Sequence, residues 1–252
     1  MGIVDIIKSV LSNTKKIDLT KLPSQGYFYQ TDFFIKIKKA SIEDIIEYEH
    51  NYSKENLYSV IEAIKKIVRK NTTFSTGYYF EDIKSVDVVY IFLEIVKYSL
   101  NKKINISYFN DKIGKEDFIE FDSSNFNYFD FSNYEYDSEN REILVDGYRF
   151  SMPSIGVENC LTYYLSNKLE HNKSYGDYNY DFIFLTGNAN NLTFEQIDNL
   201  VTIFNVDLDD SELELIGNMN RKFMDVIGYS LKVNNRIVDL KSKLNLEKIW
   251  KD

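Results

Sequence analysis

From Val86 to Leu100 the chain is apolar on nearly every side, broken only by Asp87, Glu94 and Lys97 among its ionisable residues. The run is far longer than a usual strand of ~5–6 residues, so it predicts a helix rather than a strand. A helix apolar all round has to be buried all round, and the rest of the fold must wrap it. It falls short of the ~20 apolar residues that cross a bilayer, and no other stretch comes closer.

The flanking sequence supplies the wrapping. Ile3, Ile6, Ile7, Val10 and Leu11 lie on one stripe of a short amphipathic helix over residues 3–11. Leu22-Pro23-Ser24-Gln25-Gly26 reads as a turn, and Phe33 to Ile37 alternates like a strand. Ser41 with Asp44 marks a helix start, and Ser53 a second one ahead of Leu57, Val60, Ile61, Ile64, Ile67 and Val68. Asn71 to Gly77 reads as a polar loop. Ile104 to Tyr108 and Phe118 to Phe121 read as strands, and the aromatic stretch Asn125 to Tyr136 as loop or edge strand. Asp146-Gly147, set between Ile143-Leu144-Val145 and Tyr148-Arg149-Phe150, predicts a two-residue hairpin, with Met152-Pro153 ending the second strand.

Beyond Pro153 the pattern is mainly helical. Ile155 to Leu169 forms one helix, closed by the polar run His171 to Tyr178; Asp181 to Thr186 is too short to assign. Thr193 with Gln196, and Ser211 with Glu214, have capping-box spacing. Ile227 to Val233 reads as a strand, Asn234-Asn235 as a turn, and Asn245 to Trp250 as a last helix. The fold class is therefore α+β, an N-terminal helix and mixed strands with a hairpin packed on two or three helices. Residues 1–153 are expected to form an α+β domain with its hairpin near 143–150, and residues 154–252 a mostly helical region packed on it, the alternative being one single domain.

Composition removes several function classes. With 44% apolar and 27% charged residues the chain is too hydrophobic for a disordered tail. The 20 Tyr and 18 Phe against 2 Pro read as a bias toward residues with A/T-rich codons, the alternative being that the Tyr surplus marks an interface. A net charge of −9 argues against nucleic-acid and anionic-membrane partners, which need a positive field. Asp5 and Lys8 interrupt the N-terminal apolar run and no small-residue cleavage site follows it, so it does not read as a signal peptide. The expectation is a soluble, intracellular protein. One cysteine excludes an internal disulfide, and Cys160, among Val157, Leu161 and Leu165, reads as buried filler.

No catalytic, cofactor or metal site emerges. The two histidines, His50 and His171, lie far apart and neither has a partner at helical spacing. Glycine-rich phosphate loops and Gly-x-Ser-x-Gly are absent. Asp207 to Ser211 begins like a calcium loop but has Glu212 where glycine is needed and Asn218 where a carboxylate is needed, so those acids read as a helix cap. The candidate binding residues are Tyr27, Phe28 and Tyr29. Pro23 fixes its own φ, Gly26 supplies a positive φ, and three aromatics follow on a fixed platform. As a strand they alternate: Phe28 enters the core, while Tyr27 and Tyr29 either cover its edge or form a protein-binding patch.

The order of these features resembles a known family. Leu22-Pro23-Ser24-x-Gly26 precedes a strand, a helix and Thr72-Thr73-Phe74. Asp87-Val88-Val89-Tyr90-Ile91-Phe92-Leu93 heads a helix ending at Lys97-Tyr98-Ser99, a strand follows at Ile104 to Tyr108, and Phe150-Ser151-Met152-Pro153 follows the hairpin. This succession, over nearly the whole chain, resembles the baseplate hub proteins of T-even-type contractile-tailed phages. The resemblance implies a non-enzymatic hub component or hub assembly factor. Its partners would be other hub or tape-measure proteins, in the host cytoplasm during assembly and in the tail baseplate if it is retained. Some members carry cysteines where this chain has Tyr108-Phe109-Asn110-Asp111, so a metal-stabilised loop is not implied here. A transient chaperone for a tail protein and an uncharacterised enzyme are the competing readings.

Overall fold

A computed structural model describes residues 13–52, 57–126, 128–170, 180–187, 189, 191–224, 230–233, 236–239, 244–246 and 249–250. The expected helix over 3–11, the Ser53 cap, His171 with the run to Tyr178, and the Asn234-Asn235 turn lie outside the described residues. The fold is α+β. Strand β1 (Thr14–Lys16) pairs antiparallel with β2 (Ile35–Lys38); helices α1 (Ile42–Asn51) and α2 (Leu57–Asn71) follow, and β3 (Thr72–Phe74) returns to β2. Helix α3 (Val88–Leu100) leads into the hairpin β4 (Asn105–Asn110) and β5 (Lys115–Glu120). Strands β6 (Glu135–Asp137), β7 (Glu142–Val145) and β8 (Tyr148–Phe150) make a meander. Helices α4 (Ile155–Glu170), α5 (Phe194–Thr202) and α6 (Asp210–Met224) precede β9 (Ser230–Val233), β10 (Arg236–Asp239) and β11 (Leu244–Asn245).

The apolar run is the buried helix its composition requires. Every residue from Val88 to Val96 is buried, and Asn101 ends the helix in the left-handed region at φ 51°. Around it Ile35, Ile37, Ile64, Ile67, Val68 and Ile106 close the first core. Helix α1 starts with the expected reciprocal cap, Asp44 N to Ser41 Oγ at 3.1 Å and Ser41 N to Asp44 Oδ2 at 3.0 Å. At the Asp146-Gly147 turn both residues take positive φ, 49° and 88°, and Val145 pairs with Tyr148, as a type I′ hairpin demands.

A second core holds Phe129, Phe131, Ile143, Phe150, Met152, Ile197 and Ile216. Phe223 of α6 is its aromatic centre, 4.8 Å from Phe129 and 5.2 Å from Phe184 between ring centroids. The two cores do not divide at residue 153. The hairpin β7–β8 packs with α4–α6, while Leu246, Ile249 and Trp250 return to the first core. No polar linker separates the hairpin from α4, and Ile143, Phe150 and Met152 are fully buried among the later helices.

Four expectations are corrected. Thr72–Phe74 is a strand rather than part of a loop, because Asn71, anchored by Nδ2 to Ile67 O at 3.0 Å, releases α2 straight onto the open edge of β2. Leu244–Asn245 is a strand, not the start of a helix; it pairs with Tyr108 and Ser107 and so satisfies the other edge of β4. The box at Ser211–Glu214 sits two residues earlier. Asp209 Oδ1 accepts from Ser211 N and Glu212 N, and Glu212 Oε2 accepts from Asp209 N at 2.8 Å, a carboxylate cap displacing a hydroxyl one. Cys160 is half-buried, with Sγ 2.8 Å from Asn191 Oδ1.

Candidate functional site

Residues 22–29 were the sequence's candidate, and the structure turns them inward. Leu22 is extended at φ −70°, ψ 153°, as a residue before proline should be, and Gly26 has φ 77°. The turn does not release into a strand. Bonds from Gln25 N to Leu22 O, Tyr27 N to Ser24 O and Tyr29 N to Gly26 O continue it through Tyr29. Phe28 enters the second core as expected. The alternation that would put Tyr27 and Tyr29 on one exposed face is absent: Tyr29 is buried in the first core, and half-buried Tyr27 stacks on Phe131 at 3.8 Å and meets Tyr136 edge-on at 5.1 Å. The segment therefore staples the two cores together, and Tyr27 with Tyr29 does not form a surface patch.

What holds the staple is Asp87, the first charge in the apolar run. Asp87 is 0% exposed, yet Oδ1 accepts from Ser24 N at 2.9 Å and Oδ2 from Ser24 Oγ and Tyr29 Oη, each at 2.7 Å. Burial pushes its carboxyl up to about 6 against the pull of these donors. Lys84, equally buried, is brought down to about 8 by desolvation, which the charges of Asp87, Asp82 and Glu142 oppose. A charge in a dry site is tolerated only with such partners. The network sits where the chain passes from Val86 in the second core to Val88 in the first, a structural junction closed to ligands.

A free surface of another kind lies on the β4–β5 hairpin. Ile106 and Tyr108 face the core, and Ile119, opposite Ile106, packs against it. The reverse face carries Phe109, 44% exposed, and Phe118, 59% exposed, which are diagonal neighbours because Phe118 lies opposite Ser107. Ile113, 52% exposed, lies in the turn between the two strands, where Gly114 has φ 65°. Glu116 and Glu120 flank Phe118 along β5 on the same face. Sequence alternation alone identifies this face: Phe109 and Phe118 sit out of phase with the buried Ile106 and Tyr108 and the half-buried Ile119. The run Tyr108 to Asp111, where cysteines would be needed for a metal loop, forms the end of β4 and its turn. Among the described residues no group of three His, Cys, Asp or Glu side chains is arranged to hold a metal. His50 is exposed on the last turn of α1. Among the described residues no helix is long and apolar enough to cross a membrane. No family profile, no characterised protein and no solved structure matches the chain.

Proposed function

We propose that this chain is a non-enzymatic protein-binding component of a contractile phage tail, a baseplate hub protein or a factor that assembles the hub. The observation supporting a binding role is the pair of exposed phenylalanines, Phe109 and Phe118, on one face of the hairpin, with exposed Ile113 in its turn. Large apolar side chains clustered on one face of a sheet are a common mark of a contact surface. The phage setting comes from the resemblance in the order of sequence features. The partner this face suits is a hub or tape-measure protein presenting an apolar patch. Such contact takes place in the host cytoplasm during assembly, and in the baseplate if the protein is retained.

The test is a double variant, Phe109→Ser with Phe118→Ser. Both side chains point away from the core, so the variant should keep the wild-type circular dichroism while losing co-purification with hub and tape-measure proteins. Unchanged co-purification would remove this face from the proposal. Mass spectrometry of purified particles beside infected-cell lysate separates the roles. A few copies per particle indicate a hub part, and presence in lysate alone indicates an assembly factor or chaperone.

A further inference from the structure

The remaining charges of the apolar run, Glu94 and Lys97, fall with Tyr90 at i, i+4 and i+7 on one stripe of α3. This polar stripe faces β1 and the 3-10 turn Leu19–Lys21, and the space between them is a cleft of about 180 Å³, closed at one side by Asp122. That volume is room for several waters or one small organic ion.

Most of the charged groups around the cleft have a direct partner. Each of its carboxylates is engaged through at least one oxygen. Glu94 Oε2 takes Lys15 Nζ at 2.6 Å, and its Oε1 lies 3.8 Å from Lys97 Nζ. Asp18 Oδ1 takes Thr20 Oγ1 at 2.8 Å and Thr20 N at 3.1 Å, and Asp122 Oδ1 takes Ser124 N at 2.9 Å. Those bonds hold both aspartates below the usual carboxylate range. Two donors facing the cleft have no direct bond to these carboxylates, although the Lys21 charge acts on Asp18 and Asp122 from a distance. Among the described residues the exposed Lys21 has no carboxylate within 4.0 Å, although Tyr128 Oη pins its carbonyl at 3.2 Å. Tyr90 is 3% exposed, with its ring edge-on to Phe121 at 5.7 Å and Phe126 at 5.4 Å, and its hydroxyl bonds to none of the described residues.

A phenol hydroxyl that lines a cleft offers a directed donor to an anion, and a hydrogen bond to a charged acceptor is stronger than one to a neutral acceptor. Burial acts on this phenol first, and then the charges of Glu94, Tyr128, Asp18 and Asp122. Three of these four groups line the cleft, so the hydroxyl opens into it, and their combined effect keeps it protonated and a donor. Four lysines and three carboxylates line the cleft, in a chain whose total is 30 basic against 39 acidic residues. The fourth lysine, Lys16, places its ammonium over the Phe34 ring, 5.5 Å from the centroid.

We propose that this cleft binds a small anion bearing one carboxylate or phosphate group, held by the Lys21 ammonium and the Tyr90 hydroxyl. Asp18 and Asp122 restrict the ligand to a compact anion, since a second negative group would lie against them.

Inorganic phosphate and acetate are titrated separately into the full chain, with sodium chloride at matched ionic strength as reference, and the melting temperature is read. Binding to the native state alone raises it saturably. The expected result is a rise above the chloride reference with at least one anion, and which anion does so identifies the class. Tyr90→Phe, which removes only the oxygen, and the surface change Lys21→Gln should each weaken binding about tenfold; Lys39→Gln, outside the cleft, should bind as wild type. The proposal is overturned if neither anion exceeds chloride, or if Lys21→Gln and Tyr90→Phe both titrate as wild type does. Lys21→Gln alone decides the matter if Tyr90→Phe fails to fold.

Discussion

The Tyr29 hydroxyl donates a 2.7 Å hydrogen bond to Asp87 Oδ2 and accepts one of 2.9 Å from the Lys84 amide, so a single phenol oxygen joins the turn at residues 22–29 to the start of α3. Ser24 contributes two more donors to the same carboxylate. Removing the acceptor strands all three donors in a buried site. Asp87→Ala should therefore destabilise the protein by about 3 kcal/mol or more, whereas Tyr29→Phe, which removes one donor and one acceptor, should cost about 1–2 kcal/mol. Urea titration of both variants checks the order. Equal losses would mean that the carboxylate does not hold the junction.

The same carboxyl makes stability depend on pH in an unusual direction. Its folded pKa is raised to about 6, while an unfolded aspartate titrates at ~3.9. Between these values the folded state binds more protons than the unfolded state. The contribution of Asp87 is therefore full below pH ~4 and is lost as pH rises to about 6. Asp87→Asn mimics the protonated form and removes the titration. The stability difference, wild type minus Asp87→Asn, should fall by on the order of 2 kcal/mol from pH 4 to pH 7. A difference that is flat or rises with pH would show that Asp87 titrates normally.

How much of this was legible follows from which interactions are local. The buried α3, the Ser41–Asp44 and Thr193–Gln196 caps and the Asp146-Gly147 turn depend on residues within a few positions of each other, and all are readable in the sequence. Strands β3 and β11 are stabilised by distant edges, Thr72 by Ile37 and Leu244 by Tyr108, so nothing near them in the chain announces a strand. The inward turn of Tyr29 was illegible for the same reason: its partner Asp87 lies far along the chain. Yet the signal was present. Ionisable residues inside an otherwise apolar helix need a purpose, and Asp87, Glu94 and Lys97 mark the junction and the cleft.

Two glycines with similar backbones should respond differently to a side chain. Gly26 and Gly147 have φ 77° and 88°, where any Cβ is strained. A Cβ on Gly147 meets nothing within 4 Å, so Gly147→Ala should cost only the conformational penalty, about 1 kcal/mol. At Gly26 it would sit 3.2 Å from Leu19 Cβ and 3.4 Å from Leu19 O. Gly26→Ala should therefore cost that penalty plus displacement of the Leu19–Lys21 turn, about 2–3 kcal/mol in all. Thermal melts of the two variants in parallel test the ranking, and a Gly147 variant at least as damaged as the Gly26 one would contradict it.

The chain's end tests whether the first core needs its last contributor. Trp250 packs edge-on against Tyr48 at 6.2 Å and Phe92 at 6.0 Å, while Tyr48 and Phe92 stack at 5.2 Å. The backbone beside it is tied in from both sides: Tyr48 Oη donates to Leu246 O and Leu246 N donates to Tyr52 Oη, each at 3.1 Å. Helix α1 otherwise leaves Ile42 and Ile46 exposed, so Tyr48 is its one buried anchor and Trp250 covers that anchor. Trp250→Ala opens a void against Phe92 at the centre of the core and should cost about 3–5 kcal/mol. The loss should be concentrated in α1, so amide exchange should speed up there and change little in α6, which belongs to the second core. Uniform loss of protection across both helices would show instead that the two cores unfold as one unit.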